Sequence, residues 1–426
     1  MSIPGDERAG RWREHICQLV TTVERMADAH WRCLYNSGPM TDITSDYQLR
    51  RDTVLLNHGS FGACPKPVFD DYQHWQRELE AHPGGFVARW HQRMDEARAP
   101  LAAYLGTTPD QLGFVTNATM GVNVIAHSLR SDLRESDQIL SSDHEYGACN
   151  NTWAYTCSKT GARYIQRPMS LPVTTAEAWV EQFWAGVNPR TRVIYLSHIS
   201  SPTALTFPIT EICRRARAAG ILTVIDGAHV PGQRELKLED IGADFYTGNC
   251  HKWMGTPKGS AFLYVRKDRQ HLIEPLIVGH GWHAGQVSEK PLVDYVEQFG
   301  TRDLAAFLTL PAAIAYMHEH NWAEVRSRCF KLACDTRHRI EDMLDTEPLC
   351  PDDPAWFSQM VAVRLPDRLN AAKLGQALRD QHKIEIPVFP WNGVNIMRLS
   401  VQAYTTQAEL DILVDAVGRH AKECIG

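Results

Sequence analysis

The chain has 426 residues, 44% of them hydrophobic and 22% charged, with a formal net charge of −6. This is the composition of an ordinary soluble globular protein; the charge argues against a nucleic-acid surface or another polyanion partner, and the length allows two sizeable domains whose cores need neither metal nor disulfide. The 11 cysteines form no CxxC pair, which argues against a zinc cluster or a disulfide framework and fits a reducing cytoplasm.

The opening stretch "MSIPGDERAGRWREHICQLV" carries acids and arginines where a secretory signal needs an apolar segment, so export is not expected. No window approaches the roughly 18 apolar residues of a membrane span. Trp12, Ile16, Leu19, Val20, Val23 and Met26 recur at helical spacing and predict an amphipathic helix over 11–35. From about residue 50, short β-branched or aromatic runs alternate with helical patterns: "TVLLN", "LGFVT", "QILSS", "RVIYLSHIS", "ILTVIDGAH", "DFYTGN" and "SAFLYVR" are the strands, and "PVFDDYQHWQRELEAH", "TAEAWVEQFWAGV" and "TEICRRARAAG", closed by Gly220, are among the helices. That alternation predicts an α/β fold, a mostly parallel seven-stranded sheet flanked by helices. Beyond "GTRDLAAFLTLPAAIAYMHEH" the texture is helix-heavy, with strands at "SQMVAVRL", "IEIPVF" and "NIMRLS" and a closing helix over 406–423. The expected organisation is a helical extension over 1–48, a large α/β domain over 49–319 and a smaller α+β domain over 320–426.

In open α/β sheets ligands collect beyond the carboxyl ends of the strands. Five such ends are chemically loaded: Thr116-Asn117-Ala118-Thr119, Asp143-His144-Glu145, Ser200-Ser201, Asp226-Gly227-Ala228-His229, and His251-Lys252. The last poses a problem of its own, because a lysine following an apolar strand loses hydration that its charge needs.

"VIDGAH", followed 26 positions after its aspartate by the lysine of "HKW", resembles the fold-type I pyridoxal-phosphate enzymes. Together, "LNHGSFG", "TNATMGVN", "DHEYGA", "SHISSPTAL", "DFYTGNCHKW" and "RLSVQAYTT" resemble the class V aminotransferase family in its isopenicillin N epimerase-like branch, over roughly residues 50–410. The resemblance implies pyridoxal 5'-phosphate as cofactor and a small-molecule amino-acid substrate. Lys252 then condenses with the cofactor aldehyde. Asp226 pairs with the pyridine nitrogen and keeps it protonated; opposite charges about 4 Å apart at an effective dielectric near 20 attract by roughly 4 kcal/mol. Asn117, Ala118 and Thr119, at a strand–turn–helix junction, form the phosphate cup, with an ordinary helix cap as the alternative. By the same resemblance Asn249 and His251 add phosphate donors, Thr301 reaches the phosphate from a partner subunit of a homodimer, His144 stacks on the ring, and His229 and Ser201 serve its phenolic oxygen. Arg398 holds the substrate carboxylate in its planar fork. Asn57, His58 and Ser60 line the pocket, and His280, Trp282, His283 and Arg89 are specificity elements, with core packing the alternative for these last four.

Four reactions remain open: β-elimination, epimerisation, transamination and decarboxylation. Residues 381–398 contain no cysteine, which argues against persulfide chemistry. Epimerisation needs a second acid, for which Tyr146 and His58 are the candidates. Elimination needs only the lysine and a leaving group, so the expectation is C–S β-elimination of an S-substituted cysteine, with epimerisation next. A non-catalytic cofactor-binding protein is the reading from another class.

Overall fold

A computed structural model describes residues 43–424; the helix expected over 11–35 lies outside the described residues. The strands are β1 (Val54–Leu55), β2 (Leu112–Val115), β3 (Gln138–Ser142), β4 (Arg163–Arg167), β5 (Thr191–Ser197), β6 (Leu222–Asp226), β7 (Phe245–Asn249), β8 (Ala261–Val265), β9 (Met360–Leu365), β10 (Ile384–Glu385), β11 (Val388–Trp391) and β12 (Val394–Ser400). The large sheet runs β2-β8-β7-β6-β5-β3-β4, with β7 through β4 parallel and β8 antiparallel to both neighbours.

Alternation along the strands divides the core into two layers. Val193 and Tyr195 of β5 pack into one layer with Val122 and Ile125 of the helix Ala118–Ser128, while Ile194 and Leu196 pack into the other with Ile209 and Ile212 of the helix Ile209–Ala218. Successive side chains point to opposite faces, so a sheet covered twice needs apolar residues at every position, which is why these strands read as unbroken apolar runs. Gly220, at φ 69°, follows the second of these helices in the left-handed region, where glycine lacks the Cβ that penalises other residues.

The α/β class and the count of seven strands are as expected, but one strand is not the one expected. "TVLLN" supplies β1, which pairs with β10 and not with the large sheet. Its place is taken by β4, "RYIQR", an edge strand with Arg163 and Gln166 exposed. Charged residues on an edge discourage pairing with another chain, and they also erase the apolar run that marks a buried strand.

After the long helix Trp322–Leu344 the chain forms a three-stranded antiparallel sheet, β11-β12-β9, and ends in the helix Gln407–His420, whose start is held by a capping box between Thr406 and Glu409. The amide of Val54 donates to the Lys383 carbonyl (2.9 Å), and that of Ser400 to the Leu56 carbonyl (2.9 Å). Residues 57–60 are thereby laid against β12. Among the described residues, no helix is long and apolar enough to cross a membrane.

Candidate active site

Because β3, β5, β6 and β7 are parallel, the residues that follow them converge at one edge of the sheet. β6 delivers Asp226, which is 4% exposed. Its Oδ1 accepts the Ala228 amide at 2.9 Å, and its Oδ2 faces the hydroxyl of Tyr195 (3.3 Å) and the thiol of Cys149 (3.6 Å). Burial raises its pKa above the usual carboxylate value, against the pull of the Ala228 amide and the Lys252 charge. At the end of β7 the Asn249 Oδ1 accepts the Ala118 amide at 2.8 Å, which ties the turn carrying Lys252 to the start of the helix Ala118–Ser128. The Asn117 side chain caps that helix by accepting the Met120 amide (2.8 Å), and Thr119 is half-buried in its first turn.

Lys252 Nζ lies 3.4 Å from His229 Nε2, and the Trp253 indole donates to His229 Nδ1 at 3.4 Å. An indole nitrogen can only donate, so Nδ1 accepts and the proton of the neutral ring sits on Nε2, facing the lysine. An amine that faces an N–H must itself accept, which favours uncharged Lys252. Burial first, and the Arg398 charge second, push Lys252 down to about 8, with Asp226 opposing. Burial also holds His229 well below its ordinary value.

His144 has the other tautomer. The Thr203 hydroxyl donates to Ser200 Oγ (2.9 Å), which donates to the His144 carbonyl (3.0 Å), so Thr203 Oγ1 is the acceptor for His144 Nδ1–H at 2.9 Å. Nε2 is then a bare lone pair, buried and without a hydrogen-bond partner among the described residues, 3.7 Å from Asp143 Oδ1. Burial pushes this imidazole down to about 3. Its ring is packed against Phe207 and Trp391.

Arg398, on β12, donates from Nη1 to the Ser201 carbonyl (2.6 Å) and from Nη2 to Ser60 Oγ (3.0 Å), while Ser60 donates to Asn57 Oδ1 (2.6 Å). Its Nε is buried and unpartnered among the described residues. Burial lowers its pKa to about 10, which leaves it cationic at neutral pH. Gly62 (φ 73°) passes so close to the lysine turn that a Cβ there would strike the His251 carbonyl and sit 2.9 Å from Lys252 Cα.

The structure thus brings together Lys252, Asp226, His229, His144, Asn249, Ala118, Asn117 and Thr119 on the sheet edge, and Arg398, Ser201, Ser60 and Asn57 beside it. His251 is half-buried next to Lys252; its Nδ1 lies 2.9 Å from the Ser260 carbonyl, and burial lowers it to about 4. His58 is elsewhere than expected: it is 1% exposed and props the lysine turn from below, with Nε2 3.0 Å from the Lys252 carbonyl and Nδ1 3.1 Å from the Tyr404 hydroxyl. His280 and His283 border a separate cavity of about 610 Å³ with Asp294 and Gln298. Trp282 stands exposed in the same loop, and Arg89 and Thr301 are also exposed. Trp253, Thr203, Tyr195 and Cys149 were not expected at the site. Trp253 stands next to Lys252 in "HKW", but its direction is set by the turn; the other three are anonymous apolar or small residues in sequence.

A sequence profile described as Aminotransferase class-V matches residues 60–413. The chain belongs to the class V aminotransferase family. It is 34% identical over 379 residues to the isopenicillin N epimerase of Amycolatopsis lactamdurans, covering 86% of this chain and 95% of that one. It is 28% identical over 407 residues to a putative L-cysteine desulfhydrase of Oryza sativa subsp. japonica, covering 85% and 82%. The fold is also that of the apo cysteine desulfurase from Thermococcus onnurineus NA1, with a TM-score of 0.79, 20% identity, and 91% and 100% of the two chains covered.

Members of this family are enzymes that use pyridoxal phosphate, and this chain is one of them. Its residues fit that group. A near-neutral amine, a buried carboxylate beside two hydroxyl- or thiol-bearing side chains, a capped helix start, a neutral buried imidazole at His144 and an orphaned buried N–H at Arg398 Nε form a set of groups complementary to an aldehyde, a pyridinium and anionic groups.

Proposed function

We propose that the protein is a carbon–sulfur lyase that splits an S-substituted cysteine into a thiol, pyruvate and ammonia with the uptake of one water. When bound, pyridoxal phosphate supplies an aldehyde that joins amines and a protonated ring that takes up the electron pair left at a substrate α-carbon. Lys252 holds the cofactor at rest and, once released, takes the α-proton as an uncharged amine, a state favoured by the Nε2–H of His229. Asp226 keeps a proton on the ring nitrogen. Asn117, Ala118 and Thr119, helped by Asn249 and His251, receive the phosphate at the helix start. Arg398, steadied by Ser201 and Ser60, binds the substrate carboxylate. His144 covers the ring, His229 and Ser201 serve its phenolic oxygen, and Thr301 reaches the phosphate of a second copy in a homodimer.

One observation carries elimination over inversion. His58, one of the two expected second acids, is turned against the Lys252 carbonyl and Tyr404, and His144 commits its only N–H to a hydrogen bond with Thr203 while burial suppresses its charged form, so neither imidazole is an acid that can return a proton to the α-carbon. With Lys252 as the ready base, the bond from Cβ to sulfur breaks with its electron pair on sulfur and the Cα–Cβ double bond forms. Epimerisation is the second reading. It is favoured by the 34% identical epimerase and by Tyr146, which borders the cavity that opens at Arg398.

The test is to incubate the cofactor-loaded protein with S-methyl- and S-carbamoylmethyl-L-cysteine, measuring pyruvate, free thiol and the D-enantiomer. Stoichiometric pyruvate and thiol support the lyase. Loss of optical purity without pyruvate overturns it in favour of the epimerase.

A further inference from the structure

A cavity of about 1050 Å³ opens from Arg398 and Ser60 toward Tyr146, Asn150, Gln166 and Trp391. A volume at the upper end of what encloses drug-sized ligands is far larger than a cysteine thiol needs. At that end its polar lining is a phenol, carboxamides and the buried Glu145, whose oxygens already accept the Ser142 hydroxyl (2.6 Å) and the Ser197 amide and hydroxyl (2.7 and 2.6 Å); two further charged lining residues, Arg379 and Glu385, are exposed and of opposite sign. Asp143, which also borders it, already accepts the Met169 amide (3.1 Å) and the Asn392 side-chain amide (3.0 Å).

The wall at Trp391 is built to stay in place. β11 and β12 are joined by the two-residue turn Asn392-Gly393, with φ of 45° and 82°, the left-handed pair of the hairpin turn whose twist matches the strands it joins. The turn is then fastened across to the large sheet: Asn392 Nδ2 donates to Asp143 Oδ2 at 3.0 Å, and the Trp391 ring lies 4.5 Å from the His144 ring, centroid to centroid. One face of the cavity is therefore a short, doubly anchored hairpin tip from the small sheet, seven residues before Arg398.

We propose that this cavity is the subsite for the part of the substrate beyond its β-carbon, that Trp391 sets its size, and that it takes a cysteine whose sulfur carries a bulky, uncharged polar substituent rather than free cysteine. The inference rests on the lyase reading only for the identity of the atom that carries the substituent. A flat indole offers apolar contact to the chain of the substituent, and the carboxamides of Asn150 and Gln166 offer donors and acceptors to its polar end.

The test uses cofactor-loaded enzyme and L-cysteine, S-methyl-L-cysteine and S-carbamoylmethyl-L-cysteine as probes. Dissociation constants come from calorimetry and from the change in cofactor absorption, and kcat/KM from product release. The wild type is expected to bind the carbamoylmethyl probe at least tenfold more tightly than cysteine. Trp391→Ala should erase that preference while leaving the affinity for cysteine within about threefold, and Trp391→Phe should keep most of it; thermal melting of each variant shows that the fold is intact. Equal affinity for all three probes, or an equal loss for all three in Trp391→Ala, overturns the subsite. Size-ranked binding without pyruvate or thiol from any probe upholds the subsite and sinks the lyase reading, whereas turnover without size ranking does the reverse.

Discussion

Replacing Arg398 by lysine keeps the charge and removes the planar fork. In the structure Nη1 and Nη2 are turned toward Ser201 and Ser60, while Nε has no protein acceptor among the described residues. The guanidinium can therefore meet a carboxylate with N–H groups whose direction is already fixed by two protein bonds. A lysine ammonium has three donors on a flexible stem and cannot keep both protein bonds while presenting a parallel pair to the substrate. Losing one charge-assisted hydrogen bond costs about 1.5–3 kcal/mol. At 1.36 kcal/mol per decade that is a roughly 10- to 150-fold fall in kcat/KM. The assay compares Arg398→Lys with wild type on an S-substituted cysteine and on the matching amine that lacks the carboxylate, reading both binding and turnover. The fall should be confined to the carboxylate-bearing compound. If the two compounds suffer alike, or if neither does, Arg398 is not the carboxylate clamp.

The rate of the proton-transfer step should rise as pH passes through about 8, where Lys252 loses its proton, and level off above; an amine at the ordinary lysine value would be only about 0.4% neutral at pH 8. A profile that is flat from pH 6.5 to 9 contradicts this. Gly62→Ala forces a side chain into the left-handed region and against the lysine turn, so it should cost about 1–3 kcal/mol in melting experiments and weaken cofactor retention at least tenfold. Gly84→Ala, at an open position, is the neutral control. His198, pushed down to about 3 by burial, is protonated in the unfolded chain below about 6.5 but not in the folded one. It thus favours folding above that pH and withdraws its support as acid is added, by up to ~1.4 kcal/mol per pH unit. Between pH 6.5 and 4, His198→Asn should show a shallower loss of stability by about that slope, measured by denaturant titration; an unchanged slope refutes the assignment.

The strands that cross the core were legible because a doubly covered sheet must be apolar at every position, and the loaded residues were legible because parallel strands deliver their ends to one edge. Strand ends alone singled out Lys252 and Asp226 as positions; the roles expected of them came from the resemblance. β4 was not legible, since an edge strand defended by arginines looks like a loop. His58 misled for the opposite reason: in "LNHGSFG" it stands between two residues that do face Arg398, but one helical step turns its ring under the lysine turn. The tautomers of His229 and His144 depend on Trp253 and Thr203, whose directions come only from folded geometry. The contact of Asn392 with Asp143 joins residues 249 positions apart, beyond any local pattern.

The bond between Asn57 or Ser60 and Arg398 spans about 340 positions, and β1 finds its only named strand partner in β10. A ribosome that has made the first three hundred residues has already spelled out Lys252 and Asp226, yet the early segment still lacks the strands against which it will be laid. The side of the site built on Arg398 is thus completed last in the order of synthesis, well after Lys252 and Asp226.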